Sequence, residues 1–475
     1  MTHLLTAIDA VEATRPALID DAEALTYGEL RDGARRIART VVECHGRGGF
    51  IAVRAAQSVA FVRTLVGIVY SGNTPIPVDP ALPADTMAFI ERKAGAAATI
   101  DPVPSDVVAA ATPLDARDDE RPVLILFTSG TSGFPKGVVV SQANLAHSCR
   151  AMADYLGYAQ HPSAAVVLPL YYSYALLSQV LCQLTVGGRV RLVRDLSNPL
   201  KLRDVVESQE LETFCGVPST YHALCGFHDL QPITMHSVRV LCSAGAAMDA
   251  ALTSRIRRVF PNARFFNNYG MTEAAPRIAY IRDDDPRFFE PTCGRPMDGV
   301  EVKVVDPVSG RDLGEGESGM LVVRGPNVTA GYLNDPELTA EAFTSDGFLR
   351  SGDMASMRQG YIYIEGRYDD VFNTSGEKVA PLEIERVLDR VDGVELSAVA
   401  GLPDPVRGRV PVAFLKLKTP MTRRDLLAAL APGLPKSKMP MRFYEVSAFP
   451  MTPNGKLQRK RLDPDDRTTV VREIR

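Results

Sequence analysis

Leu124-Ile125-Leu126-Phe127-Thr128-Ser129-Gly130-Thr131-Ser132-Gly133-Phe134-Pro135-Lys136-Gly137-Val138 runs from four apolar residues into six small or hydroxylated ones, then leaves through a lysine set between proline and glycine. The apolar run predicts a buried strand. Glycine and serine let backbone N–H groups converge on an anion without Cβ clashes. The hydroxyls of Thr128, Ser129, Thr131 and Ser132 add donors, and Lys136 adds a point charge. These parts suit a triphosphate. The spacing is not that of the G-x-x-x-x-G-K-[ST] loop, because Pro135 precedes the lysine and Gly137 follows it. A flexible Gly/Ser linker is the alternative, but the strand leading in and the Pro-Lys-Gly exit argue against it.

On both sides of this loop, short β-rich runs alternate with amphipathic stretches. Phe50-Val53, Thr74-Val78 and Ala97-Ile100 read as strands. Ser58-Tyr70 reads as a helix, and Pro83-Ala94 as another with proline in its first turn. This order predicts an α/β fold, a mostly parallel sheet covered by helices. From Ser163 to Gly188 no charge occurs, a run long enough for a membrane span. Pro169, Ser173, Gln179, Gln183 and Gly187-Gly188 interrupt it. Strand Ala164-Leu168, buried helix Ala175-Leu184 and strand Arg189-Val193 explain it without a span.

The pattern changes after Val300. Val300-Val305 and Gly319-Val323 alternate between glycine-rich turns and suggest an antiparallel, β-rich subdomain. Strand Tyr361-Glu365, helix Leu382-Arg390, strands Glu395-Gly401 and Val412-Lys418, and helix Thr422-Leu430 with a threonine cap suggest a small α+β unit. The polar stretch Gly366-Arg367-Tyr368-Asp369-Asp370 is the expected junction.

The formal net charge of −4 offers no basic excess for nucleic acid. Arg423-Arg424 and Arg459-Lys460-Arg461 read as solvated faces or anion patches. The cysteines, Cys44, Cys149, Cys182, Cys215, Cys225, Cys242 and Cys293, form no C-x-x-C pair, as expected for free thiols in a reducing cytoplasm. No zinc site is suggested, and the N-terminus lacks the charged-then-apolar pattern of a signal peptide.

Six motifs in register resemble the adenylate-forming superfamily of acyl-CoA synthetases, aryl-acid ligases, luciferases and nonribosomal adenylation domains. Thr128-Gly137 resembles its phosphate loop, and Asn268-Tyr269-Gly270-Met271-Thr272-Glu273 its adenylate motif. Ser351-Gly352-Asp353 resembles the ribose motif, Gly366-Asp370 the hinge, Ser375-Gly376-Glu377-Lys378 the thioester-side loop, and Pro453-Asn454-Gly455-Lys456 the C-terminal lysine motif. The resemblance covers nearly the whole chain. It implies a large N-terminal core over residues 1–367 and a small mobile domain over 368–475, hinged at Asp369.

By this resemblance, ATP or AMP is held by Thr128, Ser129, Gly130, Thr131, Ser132, Gly133, Lys136, Asn268, Tyr269, Gly270, Met271, Thr272, Asp353 and Arg367. Lys456, Glu273 and Thr128 are the catalytic candidates, and Glu273 is the Mg²⁺ ligand. Joining a carboxylate to an α-phosphate brings two anions together, so donors and a cation must meet the charge of the transition state. Lys456 is implied for that task. Asp369, Gly376 and Lys378 serve the hinge and thiol tunnel. Bland alternatives exist: Lys456 as a solvated turn lysine, Glu273 as a surface carboxylate, Tyr269 as a core aromatic.

The acyl pocket is expected at Tyr171, Tyr172, Tyr174, Gly245, Ala246, Ala247 and Ala275. Pro169-Tyr174 lacks the histidine of many acyl-CoA ligases, and Gln142 departs from the Ser-His-x-Asn pattern while Asn144 remains. No pocket aspartate answers an α-ammonium, which disfavours ordinary amino acids. The expected activity is ATP-dependent activation of an aryl or short to medium acyl acid. Transfer follows to the thiol of coenzyme A or of a carrier protein acting in trans, since no carrier segment follows Arg475. Arg407 and Arg409 lie near the segment that would meet coenzyme A, and are equally ordinary surface charge. Delivery of the adenylate to an amine is the alternative. A non-enzymatic scaffold is disfavoured, because Lys456, Glu273 and Asp353 are all present.

Overall fold

The structure is a computed structural model and describes residues 3–104, 122–128, 135–245, 248, 250–374, 377–405, 407–451 and 457–475. The chain divides into two compact units, Met1–Val302 with Val323–Leu349, and Lys303–Val322 with Arg350–Arg475.

In the first unit a nine-stranded sheet has the order Arg295–Pro296, Ala279–Arg282, Arg264–Tyr269, Val240–Ser243, Thr213–Gly216, Ser163–Val166, Arg189–Leu192, Pro16–Ile19, Ala24–Thr26. From Arg264–Tyr269 to Pro16–Ile19 every neighbouring pair is parallel, and the outer pairs are antiparallel. The mostly parallel sheet read from the βα alternation is therefore present. Thr74–Val78, Phe50–Arg54 and Ala98–Ile100 form a second, parallel sheet. The run Leu124–Phe127 lies in strand Pro122–Thr128, which pairs antiparallel with Lys136–Ser141.

Helix Val59–Tyr70 is buried along nearly its whole circumference, as a helix apolar on all sides must be. The Ser58 hydroxyl caps it by accepting from the Phe61 N–H at 3.2 Å. It crosses helix Tyr27–His45 at Gly67, where a Cβ would lie 2.8 Å from the Ala34 carbonyl oxygen. Even alanine would push the helices apart, at about 1–3 kcal/mol. The Tyr27 hydroxyl, buried, donates toward the carbonyls of Leu184 and Gly188, so burial raises its pKa well above that of free tyrosine.

Two boundaries differ from expectation. Pro83 is the N-cap of helix Ala84–Ala94, outside its first turn. The expected helix Ala175–Leu184 forms as Ser173–Ala175, a π-helical turn Leu176–Leu181, and Cys182–Thr185. In an all-apolar run an inserted residue leaves no trace in the hydrophobic pattern. The uncharged stretch is thus strand, helix and strand. No helix among the described residues is long and apolar enough to cross a membrane.

In the second unit Leu349–Arg358 and Tyr361–Arg367 pair antiparallel at one end of a four-stranded sheet, the β-rich region expected after Val300. A six-stranded sheet follows, in which Val394–Asp404 and Gly408–Leu417 form the long hairpin. Helices Pro381–Leu388 and Arg423–Leu430 pack Ile384, Leu388, Leu426 and Leu430 against Phe372, Val399, Leu415 and Phe443. Thr422 caps the second helix in a reciprocal box with Asp425. Arg459 corrects the reading of its basic run as a solvated face. It is mostly buried, binds both oxygens of Glu385, donates to the Val399 carbonyl at 2.7 Å, and pairs with Asp370 at 3.2 Å.

Candidate functional site

The carboxyl ends of parallel strands are where open α/β sheets bind ligands. Three predicted segments leave from that edge. Strand Ser163–Val166 leads to Tyr171–Tyr174, Val240–Ser243 to Gly245, and Arg264–Tyr269 to Gly270–Glu273. After Tyr269 the chain folds back so closely that a Cβ on Gly270 would sit 1.9 Å from the Pro276 carbonyl oxygen. The turn Thr272–Ala274 follows and leaves Thr272 and Glu273 half-buried.

Glu273 is fixed at two points. Its Oε1 accepts from the Tyr332 hydroxyl at 2.9 Å, and its carbonyl accepts from the Thr329 N–H at 2.8 Å. The Lys136 ammonium lies 5.5 Å from the centre of the same Tyr332 ring, within cation–π reach. Lys136 faces Thr128 across the hairpin, so both ends of the segment expected to hold phosphate are placed by strand register. Ser129, Gly130, Thr131, Ser132 and Gly133 lie outside the described residues.

The Thr272 and Ser173 hydroxyl oxygens are 3.0 Å apart, which ties the adenylate motif to the tyrosine segment. The rings of Tyr171 and Tyr172 meet at 4.5 Å between centroids. Burial raises the Tyr171 hydroxyl well above its ordinary pKa, with Tyr172 and Asp79 adding to the shift. The tyrosines are therefore neutral donors at physiological pH. Gly245 has φ +90°, open to glycine at little cost, and the buried Ala275 has φ +43°. Ala246 and Ala247 lie outside the described residues. Tyr269 and Met271 are half-buried. Asn268 is buried: its amide donates toward the Ser243 and Phe266 carbonyls, and its Oδ1 accepts from the Tyr155 hydroxyl at 2.9 Å.

In the second unit the Arg367 guanidinium lies 3.0 Å from Asp353 Oδ1 and also reaches the Ser351 carbonyl. Gly352 between them has φ +74°, and a Cβ there would meet Arg367 Nη2 at 2.9 Å. The Asp353 N–H donates to the Ser351 hydroxyl, which itself donates to the Leu321 carbonyl. Asp369, in the turn Tyr368–Asp370, and Lys378 are exposed. Arg409 donates to the Gly401 carbonyl, and Arg407 reaches the Met441 sulfur. Gly376 and Lys456 lie outside the described residues.

Sequence reasoning missed Tyr332, Thr329, Asn327 and the Ser173 contact. Asn327 is fully buried and its amide binds the carbonyls of Ala274 and Arg277, bracing the turn that carries Glu273. The only signal was a polar, glycine-containing stretch, Asn327-Val328-Thr329-Ala330-Gly331-Tyr332, with no charge to mark it.

Residues 7–333 match the AMP-binding enzyme family, and residues 383–456 match the AMP-binding enzyme C-terminal domain. The chain belongs to the AMP-binding enzyme family. A feruloyl-CoA synthase of an Amycolatopsis species is 31% identical over 91% of this chain and 92% of that protein. A pyochelin synthase, PchD, of Pseudomonas aeruginosa is 29% identical over 96% of this chain and 91% of its own. The ATP-bound crystal structure of MatB from Rhodopseudomonas palustris superposes with a TM-score of 0.89 at 26% identity, covering 97% of both chains. This member of the family is an AMP-forming acid–thiol ligase. Its residues fit the expected Mg²⁺: Glu273 is a hard carboxylate with one oxygen held by Tyr332, and Mg²⁺ takes one or two such ligands beside substrate phosphates and water.

Proposed function

We propose that this ligase adenylates an aryl or short to medium acyl acid and passes the acyl group to the thiol of coenzyme A, or of a carrier-protein phosphopantetheine. The observation that carries the reading is the Glu273–Tyr332–Lys136 cluster at the carboxyl edge of the parallel sheet. It gathers one carboxylate, one ammonium and hydroxyl donors beside the mouth of a loop suited to phosphates.

In this reading Thr128, Thr272 and Lys136 donate to phosphate oxygens, with Ser129–Gly133 supplying backbone N–H groups. Tyr269 stacks on the base, with Asn268, Gly270 and Met271 shaping its slot. Asp353 accepts from the ribose hydroxyls and is oriented by Arg367. Glu273 would hold Mg²⁺, which supplies charge neutralisation at the phosphates when bound. Lys456 meets the acid's carboxylate and the α-phosphate. The carboxylate oxygen bonds to the α-phosphorus as the bond to pyrophosphate breaks. The thiol sulfur then bonds to the acyl carbon and AMP leaves.

Thiol attack needs Lys456 withdrawn, and we assign that movement to residues 368–475 turning about Asp369 relative to residues 1–367. Gly376 keeps the pantetheine path open, with Lys378 beside it. Tyr171, Tyr172, Tyr174, Gly245, Ala246, Ala247 and Ala275 line the acyl pocket. The neutral tyrosine hydroxyls and aromatic faces support an aryl acid, and a feruloyl-CoA synthase among the relatives supports the same choice. A cytoplasmic location is supported by seven cysteines outside any disulfide, five of them buried.

ATP–pyrophosphate exchange across a panel of benzoates, cinnamates and short fatty acids tests the first half. Mass spectrometry of reactions with coenzyme A, holo carrier protein or an amine tests the second. Exchange with an acid of this panel and a thioester product are expected. No exchange with any acid contradicts the reading, and an amide formed without thioester contradicts its second half.

A further inference from the structure

Arg277 is the largest completely buried side chain among the described residues, with 1% of its surface exposed. No carboxylate among the described residues forms an ion pair with it, and its Nε is buried with no acceptor. The contact made by its charge is the face of the Tyr174 ring, 5.5 Å from the guanidinium carbon. The Tyr174 hydroxyl is buried as well, with the Cys215 thiol as its neighbour. The Arg277 Nε is therefore an unanswered donor on a full positive charge. A cation–π contact offsets part of the desolvation of such a charge, but a buried cation ordinarily requires an anion.

Both residues belong to segments already tied to the site. Tyr174 follows Ser173, whose hydroxyl meets Thr272. Arg277 lies four residues beyond Glu273, and its backbone is braced by the Asn327 amide and by its own N–H to the Ala274 carbonyl. The main chain that carries the guanidinium is thus fixed, and its buried Nε has no acceptor.

We propose that Arg277 and the Tyr174 hydroxyl close the inner end of the acyl pocket and receive a second carboxylate, so that the preferred substrate is a dicarboxylic acid adenylated at its other end. This rests on the proposed acid activation and narrows its substrate. The planar guanidinium fork matches a carboxylate in two parallel hydrogen bonds, and the low-dielectric pocket makes a missing second anion costly. A monocarboxylic acid of equal length leaves the cation unanswered. The competing counter-ion is a Cys215 thiolate, favoured by a hydrogen bond from Cys242 that lowers the thiol's pKa.

Pyrophosphate exchange with matched pairs, butanoate and succinate, pentanoate and glutarate, benzoate and isophthalate, tests the assignment. The wild type should favour the diacid of at least one pair by tenfold or more in kcat/KM, on the order of one charged hydrogen bond. Arg277→Met should lose about a hundredfold on that diacid and hold or gain on its monoacid, without a lower melting temperature. Arg277→Lys, which keeps the charge without the fork, should fall between them. Cys215→Ala should keep the diacid preference. A wild type that favours the monoacid in every pair overturns the proposal. So does an Arg277→Met enzyme that loses both acids equally, or a diacid preference that emerges only in Cys215→Ala. If neither Arg277 variant folds, the wild-type pairs decide alone. Exchange with no acid of either kind contradicts acid activation itself, whereas exchange with monoacids only contradicts this inference alone.

Discussion

The Tyr332 hydroxyl donates to Oε1 of Glu273 at 2.9 Å, across 59 residues of sequence, and the ring of the same tyrosine lies 5.5 Å from the Lys136 ammonium. One side chain thereby sets the distance between the carboxylate proposed for Mg²⁺ and the lysine proposed for phosphate. A hydrogen bond to a charged acceptor contributes about 1.5–3 kcal/mol. Tyr332→Phe should lower exchange activity about tenfold or more and raise the Mg²⁺ concentration for half-maximal rate. Glu273→Gln should lose more. Initial rates over a Mg²⁺ titration check both, and an unchanged Mg²⁺ dependence in both variants contradicts the assignment.

Gly270 stands where a Cβ would lie 1.9 Å from the Pro276 carbonyl oxygen. Gly270→Ala must displace the Thr272–Ala274 turn and with it Glu273. A shift of about 1 Å at a reacting centre can cost about a hundredfold in rate. Exchange should fall by that order while circular dichroism stays native. A fully active alanine variant would show that the turn does not position the chemistry.

Asp353 is anchored by Arg367 at 3.0 Å and by its own N–H on the Ser351 hydroxyl. If its carboxylate reads the ribose, the wild type should prefer ATP to 2′-deoxy-ATP, and Asp353→Ala should raise the KM for ATP while erasing that preference. Kinetics with both nucleotides decide it. A preference that survives in Asp353→Ala removes the residue from the nucleotide site.

His147 is buried, and its Nε2 lies 3.2 Å from the Asp298 carbonyl. Burial lowers its pKa, Arg150 adds to the shift, and the carbonyl opposes it. The folded state therefore favours neutral imidazole. Below the unfolded value, about 6.5, the unfolded chain binds the extra proton first, so stability falls as pH drops toward the folded pKa. The urea midpoint should decline between pH 7.5 and 5.5, and His147→Gln should flatten that decline. An equal slope in the variant would remove His147 as its source.

What the sequence revealed follows the reach of its signals. Strands such as Phe50–Arg54 and helices such as Val59–Tyr70 were legible because the period of apolar residues is local, and the Thr422 cap because it spans three residues. The loop after Thr128 stood out by its composition of small residues, and Ser129–Gly133 lie outside the described residues. Partners distant in sequence left no mark. Tyr332 joins Glu273 from 59 residues away, and Arg459 joins Glu385 from 74. In a basic triplet, a buried arginine looks like a solvated one until its carboxylate is found. Arg277 was hidden in the same way, inside an apolar run where only three-dimensional packing reveals that no carboxylate among the described residues pairs with it.

The central claim is that a carboxylate oxygen of the acid bonds to the α-phosphorus of ATP. An acid that supports exchange, labelled with ¹⁸O in both carboxylate oxygens, should be converted with a thiol acceptor and the AMP analysed by mass spectrometry. One ¹⁸O atom is predicted in the phosphate of AMP, with no such transfer in Lys456→Ala. Label in inorganic phosphate with ADP as the nucleotide product, or AMP free of label, would contradict the account.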